Sequence, residues 1–130
     1  MVTSKTGDEA SKKAMGDEAE ARAWAHLREQ GLTLVQRNYR VAKGPRAHGG
    51  EVDLIARDRD GTLVFIEVRS RAGAGHGGAA ASVGYAKRRR LIYAAQHFLR
   101  DFASPPPCRF DVVAIEAGRI EWLRGAFDVS

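Results

Sequence analysis

Two acidic residues on neighbouring predicted strands, Asp53 and Glu67, are the strongest candidates for chemistry in this sequence. Carboxylates that face each other across two strands repel unless a cation lies between them. Carboxylate oxygens and water are the ligands that Mg²⁺ or Mn²⁺ prefers. We therefore predict that Asp53 and Glu67 bind one of these ions. The alternative is a solvated sheet face, on which both acids pair with Arg57 or Arg69.

The pairing of these acids depends on the turn that joins the two strands. A two-residue turn would set Leu54 opposite Glu67 and mix apolar and charged side chains on each face, because a one-residue slip moves every side chain. A three-residue turn at residues 59–61 ends in a glycine that can adopt the left-handed conformation. It pairs Leu54 with Ile66 and Asp53 with Glu67. We predict the second register because it makes the apolar face continuous.

A third carboxylate, Glu20, lies on the apolar stripe of a predicted helix with Ala23, Trp24 and Leu27. Burying an unpaired carboxylate costs several kcal/mol, which favours a position at a cation or a water-filled site. Alternatively, Glu20 reaches solvent from the first helical turn, where its charge suits the helix dipole. The sequence leaves both interpretations open.

Positive charge is concentrated between Arg69 and Arg109, where eight Arg or Lys residues accompany one Asp, although the whole chain carries only +5. Such clustering favours a polyanionic partner, most simply nucleic acid. A surface for another protein and a solvated basic face are the alternatives. The residues that we predict to contact phosphates are consecutive: Lys87, Arg88, Arg89 and Arg90.

The elements that position these residues belong to one domain, since 130 residues with 44% apolar content suit one core. We expect a disordered tail over residues 1–14 and a single domain over residues 15–130. Within it, the hydrophobic periodicity predicts the order α-β-β-β-α-β-β, with helices that begin near Met15 and Val83. The fold class is therefore α/β.

Several protein classes are excluded by composition. The single cysteine, Cys108, rules out an internal disulfide and a cysteine-based zinc site. The chain contains no apolar run long enough for a membrane span, and its first residues lack the apolar segment of a secretory signal. We therefore expect a cytoplasmic protein without a membrane partner.

The residues around the predicted acids also resemble a known family. Gly-Glu-Val-Asp-Leu-Ile at 50–55 and Phe-Ile-Glu-Val-Arg-Ser-Arg at 65–71 resemble the PD-(D/E)XK pattern of the restriction-endonuclease-like superfamily. Over residues 16 to about 127 the chain is similar to the YraN family of small bacterial predicted endonucleases. The further motifs that carry this similarity follow the family's order: Gly16 with Glu20, Arg37–Arg40, Lys87 with Arg90, and Arg109–Val113.

The resemblance implies a restriction-endonuclease-like core, a mixed β-sheet flanked by helices with a metal site on its central hairpin. It makes Asp53 and Glu67 the Mg²⁺ ligands, with the Val68 carbonyl as an additional ligand and Glu20 as a supporting acid. Arg69 stands where the family's motif has lysine. Its guanidinium stays protonated and cannot act as a neutral base.

The implied function is metal-dependent hydrolysis of phosphodiester bonds in nucleic acid, with DNA as the favoured substrate. Arg69 and Arg71 would stabilise negative charge on the phosphate, and Glu51 and His48 are accessory candidates beside the acids. A homodimer is also implied as an option, because cutting a duplex requires action on both strands. The alternative is a noncatalytic nucleic-acid-binding module whose site is impaired at Arg69.

Overall fold

The computed structural model describes residues 4–42, 44, 49–71 and 83–128, with side chains from Gly16 onward apart from that of Arg71. Its elements follow the predicted order α-β-β-β-α-β-β. They are α1 (Ser4–Glu29), β1 (Thr33–Val41), β2 (Gly50–Arg57), β3 (Leu63–Arg71), α2 (Tyr85–Leu99), β4 (Cys108–Glu116) and β5 (Arg119–Phe127).

The five strands form one mixed sheet in the order β1-β2-β3-β4-β5. Neighbouring strands are antiparallel except β3 and β4, which are parallel. Parallel neighbours need a long crossover connection, and α2 lies on it. The prediction of an α/β protein with a mixed sheet between helices is confirmed, and the arrangement matches a restriction-endonuclease-like core.

The two helices cover different faces of the sheet. Helix α1 packs its buried residues, including Leu27, with a cluster that contains Leu54 and Ile66. Helix α2 packs Leu91 with a second cluster that contains Ile55 and Phe65. Consecutive residues of a strand point to opposite faces, so each face has its own apolar layer. Neither helix, as far as the chain is described, combines the length and the apolarity needed to span a membrane.

The first helix begins earlier than the sequence predicts. It starts at Ser4, whereas the apolar periodicity predicts a start near Met15. The segment before Met15 has no proline and contains several good helix formers, so nothing in it stops the helix from extending. The side chains of residues 1–15 lie outside the described part, and the division into a tail and a domain stays a prediction.

The predicted register of the central hairpin is confirmed. Leu54 pairs with Ile66 and Ala56 pairs with Val64, so the connection is the three-residue turn. Gly61 at its end has φ +91°, a left-handed conformation that glycine adopts without a steric penalty.

The regular sheet breaks down at Asp53. The paired residues of β2 and β3 extend only to Leu54 and Ile66, so the predicted pairing of Asp53 with Glu67 lies just beyond the end of the ladder. Regular alternation would also put Val52 and Leu54 on one face, but Val52 packs in the α2 layer and Leu54 in the α1 layer. The two strands therefore separate at the position that carries the first acid.

A close approach between Gly50 and α2 fixes the helix against this break. A Cβ atom added to Gly50 would lie 2.6 Å from the carbonyl oxygen of Arg90 and 3.0 Å from the backbone nitrogen of Ala94. These are backbone atoms of a packed helix, so they cannot move aside without moving the helix. Glycine at this position therefore lets α2 lie directly on β2.

We expect Gly50→Ala to lower the free energy of unfolding by about 1–3 kcal/mol, the usual cost of forcing extra atoms into a packed interior. Denaturant unfolding followed by circular dichroism measures the change. Gly84→Ala is the matched control, because a Cβ atom at Gly84 meets nothing within 4 Å. It should change stability by less than about 1 kcal/mol, the typical effect of a helix cap. Equal stability of the two variants would contradict the role given to Gly50.

Candidate metal and phosphate site

Asp53 lies at the point where β2 and β3 separate. Its Oδ2 atom accepts a hydrogen bond of 2.8 Å from the backbone N–H of Val68. The Asp53 carboxylate therefore accepts the N–H that a backbone carbonyl of β2 would accept if the β2–β3 ladder continued. Burial, followed by the negative charge of Glu67, raises the pKa of Asp53 from its ordinary value of 3.8 to about 8. In the absence of a cation, Asp53 thus keeps its proton at neutral pH.

Glu67 is the second acid, and it is only 1% exposed. Its Oε2 atom lies 2.9 Å from Nζ of Lys87 and 3.5 Å from a guanidinium nitrogen of Arg69. Its Oε1 atom is buried and has no hydrogen-bond partner within the described structure. A buried carboxylate oxygen without a partner is costly. Glu67 therefore has one oxygen held by cations of the chain. A side-chain hydrogen bond between its carboxyl and that of Asp53 adds to the raised pKa of Asp53, so a cation bound here would replace the Asp53 proton.

Lys87 reaches Glu67 because of its position on α2. It precedes the buried residue Leu91 by four residues, so both lie on the side of the helix that faces the sheet. Its side chain is 35% exposed, so the ammonium group contacts Glu67 and remains accessible. The sequence groups Lys87 with the arginines predicted to contact phosphates, whereas the structure separates it from them and brings it to the acids.

Glu20 lies beside a cavity of about 450 Å³ that Asn38 and Arg40 also line. Burial and the charge of Asp17 raise the pKa of Glu20, while a hydrogen bond with the Asn38 side chain opposes that shift. The negative charge of Glu20 also contributes to the raised pKa of Asp53. Of the two interpretations that the sequence leaves open, the structure favours a polar cavity near the other acids.

Asn38 is a site residue that sequence reasoning missed. It has φ +50°, and its neighbours Arg37 and Tyr39 pair with Leu54 and Val52, on either side of Asp53. Asparagine tolerates the left-handed conformation better than most residues. Asn38 therefore lies opposite Asp53 on β1, and its side chain forms a hydrogen bond with Glu20.

The remaining candidates occupy several places. Glu51 would face Arg69 if the predicted register continued, but the β2–β3 ladder ends at Leu54, and Glu51 forms an ion pair with Arg40 on β1 at 3.3 Å. His48 lies outside the described residues. Arg71 ends β3, and its side chain also lies outside the described part. The remaining candidates, Arg88, Arg89 and Arg90, lie in the first half of α2. Lys87 precedes them on the same helix and faces inward.

The donors at the centre suit a hard divalent cation with few protein ligands. No group of three or more Asp, Glu, His or Cys side chains converges on one metal position in the described ranges. Mg²⁺ commonly binds through one or two carboxylates and keeps water or phosphate oxygens as its other ligands. The unpartnered oxygen of Glu67, together with Asp53, fits this pattern. Val68 contributes its N–H to Asp53, and its carbonyl stays a predicted ligand.

The motif from Arg109 to Val113 stabilises a different part of the sheet. Asp111 is buried and accepts hydrogen bonds from Arg109 Nε, Trp122 Nε1 and the Gly125 N–H at 2.9–3.1 Å. Arg109 also binds Asp58 at 2.8 Å. These contacts join β4 to β5 and to the hairpin turn, so the motif has a structural explanation.

Residues 19–115 match the family model whose description is "Uncharacterised protein family UPF0102". The chain belongs to this family. A UPF0102 protein of Methylibium petroleiphilum is 65% identical over 118 residues, which cover 91% of this chain and 97% of the relative. A UPF0102 protein of Acidovorax sp. is 58% identical, with 91% and 87% covered. One of Cupriavidus taiwanensis is 56% identical, with 98% and 93% covered. The resemblance to the YraN family is thereby confirmed, because UPF0102 is that family.

The UPF0102 match spans all the acids at the centre of the site as well as Lys87. Only one sequence signal could have shown that Lys87 faces inward: its four-residue spacing from the apolar stripe of α2. The adjacent arginines obscure that signal, because a basic run is usually read as one surface. For Asn38 no local pattern exists, since its role depends on a strand partner.

Proposed function

We propose that this UPF0102 protein is a metal-dependent nuclease that hydrolyses phosphodiester bonds of nucleic acid, with DNA as the first candidate substrate. The observation that supports it most directly is the buried Glu67, which has one unpartnered oxygen and lies close enough to Asp53 to raise the pKa of that carboxyl. Lys87 and Arg69 offset the charge of Glu67, and a metal ion would allow Asp53 to ionise beside it as well.

The metal would be held by Asp53 and Glu67, and when bound it would polarise the scissile phosphate as a Lewis acid. Side chains of the protein would orient the reactants and stabilise the developing charge. Lys87 has three N–H donors, and Glu67 uses one of them. The others can orient a water molecule or a phosphate oxygen. Arg69 would stabilise negative charge that develops on the phosphoryl oxygens. Lys87 therefore supplies the lysine that the motif lacks at position 69.

The proposal is tested by incubating the protein with Mg²⁺ or Mn²⁺ and a labelled panel of single-stranded DNA, duplex, flap, four-way junction and RNA. We expect metal-dependent cleavage of at least one substrate. Asp53→Asn and Glu67→Gln should each reduce it by about 100-fold or more, while oligonucleotide affinity in EDTA changes by less than about threefold.

Glu121→Gln is the matched control, since it removes an exposed carboxylate from β5 and should leave cleavage unchanged. Cleavage that persists at the wild-type rate in Asp53→Asn and Glu67→Gln would contradict the proposal. So would the same rate in excess EDTA.

The second candidate function is a noncatalytic nucleic-acid-binding module, favoured by Arg69 at the position where the motif has lysine. The Arg69→Lys variant distinguishes the two functions. No cleavage by either protein, together with binding that weakens steeply with salt, would support the module. Cleavage by Arg69→Lys alone would indicate a nuclease site impaired by the arginine.

A further inference from the structure

The outer face of α2 carries two exposed tyrosines. Tyr85 is 76% exposed and Tyr93 is 36% exposed. Among the described residues, the other large apolar or aromatic side chain with such exposure is Val35 on β1. Tyr85 and Tyr93 are eight residues apart, which places them near one face of the helix, about 12 Å apart along its axis. This face is opposite the one from which Lys87 reaches Glu67.

Arginines lie between and beside these rings. The Arg89 guanidinium is 5.8 Å from the centre of the Tyr85 ring, and that of Arg88 is 5.2 Å from the centre of the Phe127 ring. The Nε of Arg88 also donates a hydrogen bond of 2.9 Å to the carbonyl oxygen of Val83. The planar guanidinium groups of Arg88 and Arg89 thus lie at the same surface as the aromatic rings.

These residues line an open groove of about 430 Å³, together with Ile92, Gln96 and Asp128. The volume lies in the range of sites that bind small organic groups, about 300–1,000 Å³. Two arginines and one carboxylate line the described groove, so its charge favours an anion. The groove therefore combines a positive charge with exposed aromatic rings.

We propose that this groove binds a single-stranded segment of the nucleic acid, with unpaired bases stacked on Tyr85 and Tyr93 and phosphates beside Arg88 and Arg89. The inference deepens the proposed function, on which it rests for the identity of the partner as nucleic acid. Aromatic rings stack on bases only where the base faces are uncovered, and this condition excludes an intact duplex. At about 3.4 Å per stacked base, the distance between the tyrosines matches three to four bases.

The position of the groove also relates it to the acids. Tyr85 precedes Lys87 by two residues, so the groove begins within one helical turn of a residue that contacts Glu67. A strand held on the outer face would have to pass around the N-terminal end of α2 to reach the acids. The substrate class is nucleic acid that has unpaired bases next to the bond to be cut, such as a flap, a frayed end or a branch.

The test is fluorescence anisotropy in EDTA, so that no cleavage occurs, with a labelled 15-nucleotide oligothymidine, the same backbone without bases, and a duplex. We expect Tyr85→Ala and Tyr93→Ala each to weaken oligothymidine binding by about 5- to 100-fold. Binding of the duplex and of the abasic strand should change by less than twofold. Tyr85→Phe and Tyr93→Phe keep the ring and should bind as the wild type does. Val35→Ala is the control for loss of an exposed apolar side chain.

Equal weakening for all three oligonucleotides, or none for oligothymidine, would overturn the stacking proposal. The comparison does not depend on catalysis. Loss of cleavage in Asp53→Asn, together with weaker oligothymidine binding in Tyr85→Ala and Tyr93→Ala, would support both proposals. A wild-type protein that binds through the tyrosines but never cleaves would refute only the nuclease. A protein that cleaves with no tyrosine dependence would refute only the groove.

Discussion

Asp53→Asn is expected to reduce cleavage by about 100-fold or more and, at the same time, to raise the melting temperature of the metal-free protein at pH 8. Burial and the charge of Glu67 raise the pKa of Asp53 to about 8, so the folded protein opposes ionisation of this carboxyl. Asparagine is neutral at every pH, and its amide oxygen can still accept the hydrogen bond from the Val68 N–H. Catalysis and stability should therefore change in opposite directions.

The pH dependence follows from the direction of this shift. Below about pH 4 the carboxyl is protonated in both the folded and the unfolded chain. Between the ordinary pKa of 3.8 and about 8, the unfolded chain releases its proton while the folded chain keeps it. The free energy of unfolding therefore falls as pH rises through this window. Asp53→Asn removes this dependence, and we expect it to stabilise the protein by about 2 kcal/mol or more at pH 8. For a domain of this size that corresponds to roughly 5–10 °C.

Thermal unfolding in EDTA at pH 5, 6.5 and 8 measures the effect, and Asp58→Asn serves as a control of opposite sign. A hydrogen bond from Arg109 lowers the pKa of Asp58, so the Asp58 carboxylate stabilises the fold above its unfolded pKa and loses that contribution in acid. Asp58→Asn should therefore destabilise the protein at pH 8. Adding Mg²⁺ should raise the melting temperature of the wild type but not of Asp53→Asn. Lower stability of Asp53→Asn at pH 8 would show that the two acids do not oppose each other.

Lys87→Met should reduce the cleavage rate at saturating substrate by about 100-fold or more. Methionine keeps an unbranched side chain but removes the ammonium group that lies 2.9 Å from Glu67. Removing a preorganised donor from an active site commonly costs a factor of about 10²–10³. Affinity for oligonucleotide should change by less than about threefold, because Lys87 acts at the acids and not on the flanking backbone.

Arg89→Met is the matched control on the same helix. The exposed Arg89 lies in the outer groove, so its loss should weaken binding and reduce the salt slope by about one, with the saturating rate unchanged. If Lys87→Met instead behaves like Arg89→Met, Lys87 is an ordinary phosphate contact, as the basic run in the sequence indicates.

Stability gives an independent measure of the same contact. Lys87→Met leaves the buried Glu67 with Arg69 at 3.5 Å as its remaining charged partner. We expect a loss of about 1–3 kcal/mol in the free energy of unfolding. Adding Glu67→Gln to that variant should recover part of the loss, because the uncompensated charge is removed. A double-mutant cycle over the four proteins gives the interaction energy directly, and a value near zero would contradict the ion pair.

Local patterns predicted much of this fold. The alternation around Leu54 and Ile66 indicated the hairpin register, and Gly61 indicated the length of its turn; both are confirmed. The order of the elements and the mixed sheet also agree with the sequence. The order and the register depend on periods of two or four residues, so they can be read from neighbouring positions, whereas the mixed sheet was implied by the resemblance to the YraN family. The start of α1 at Ser4 was missed because helix extension before Met15 leaves no apolar stripe.

The positions of Asp53 and Glu67 could also be predicted from spacing along the strands. Asp53 and Glu67 belong to two strands joined by a short turn, and the register brings them together. What the register could not show is that the ladder ends at Leu54, which frees Asp53 to accept the Val68 N–H. That break also depends on the third strand, where Asn38 adopts φ +50° opposite Asp53.

The sequence by itself thus determined the order of the elements and the central register, because each follows from spacing along a strand or a helix, and it predicted Asp53 and Glu67 as the candidate acids. Only the tertiary structure decided which cations meet them. Lys87 lies twenty positions after Glu67 in the chain, and it reaches that acid because Gly50 allows α2 to approach β2 closely. The same packing turns Tyr85 and Tyr93 outward. The orientation of a helix on a sheet is set by the steric fit between residues that are far apart in the sequence. The short-range hydrophobic periodicity of the chain does not encode that fit.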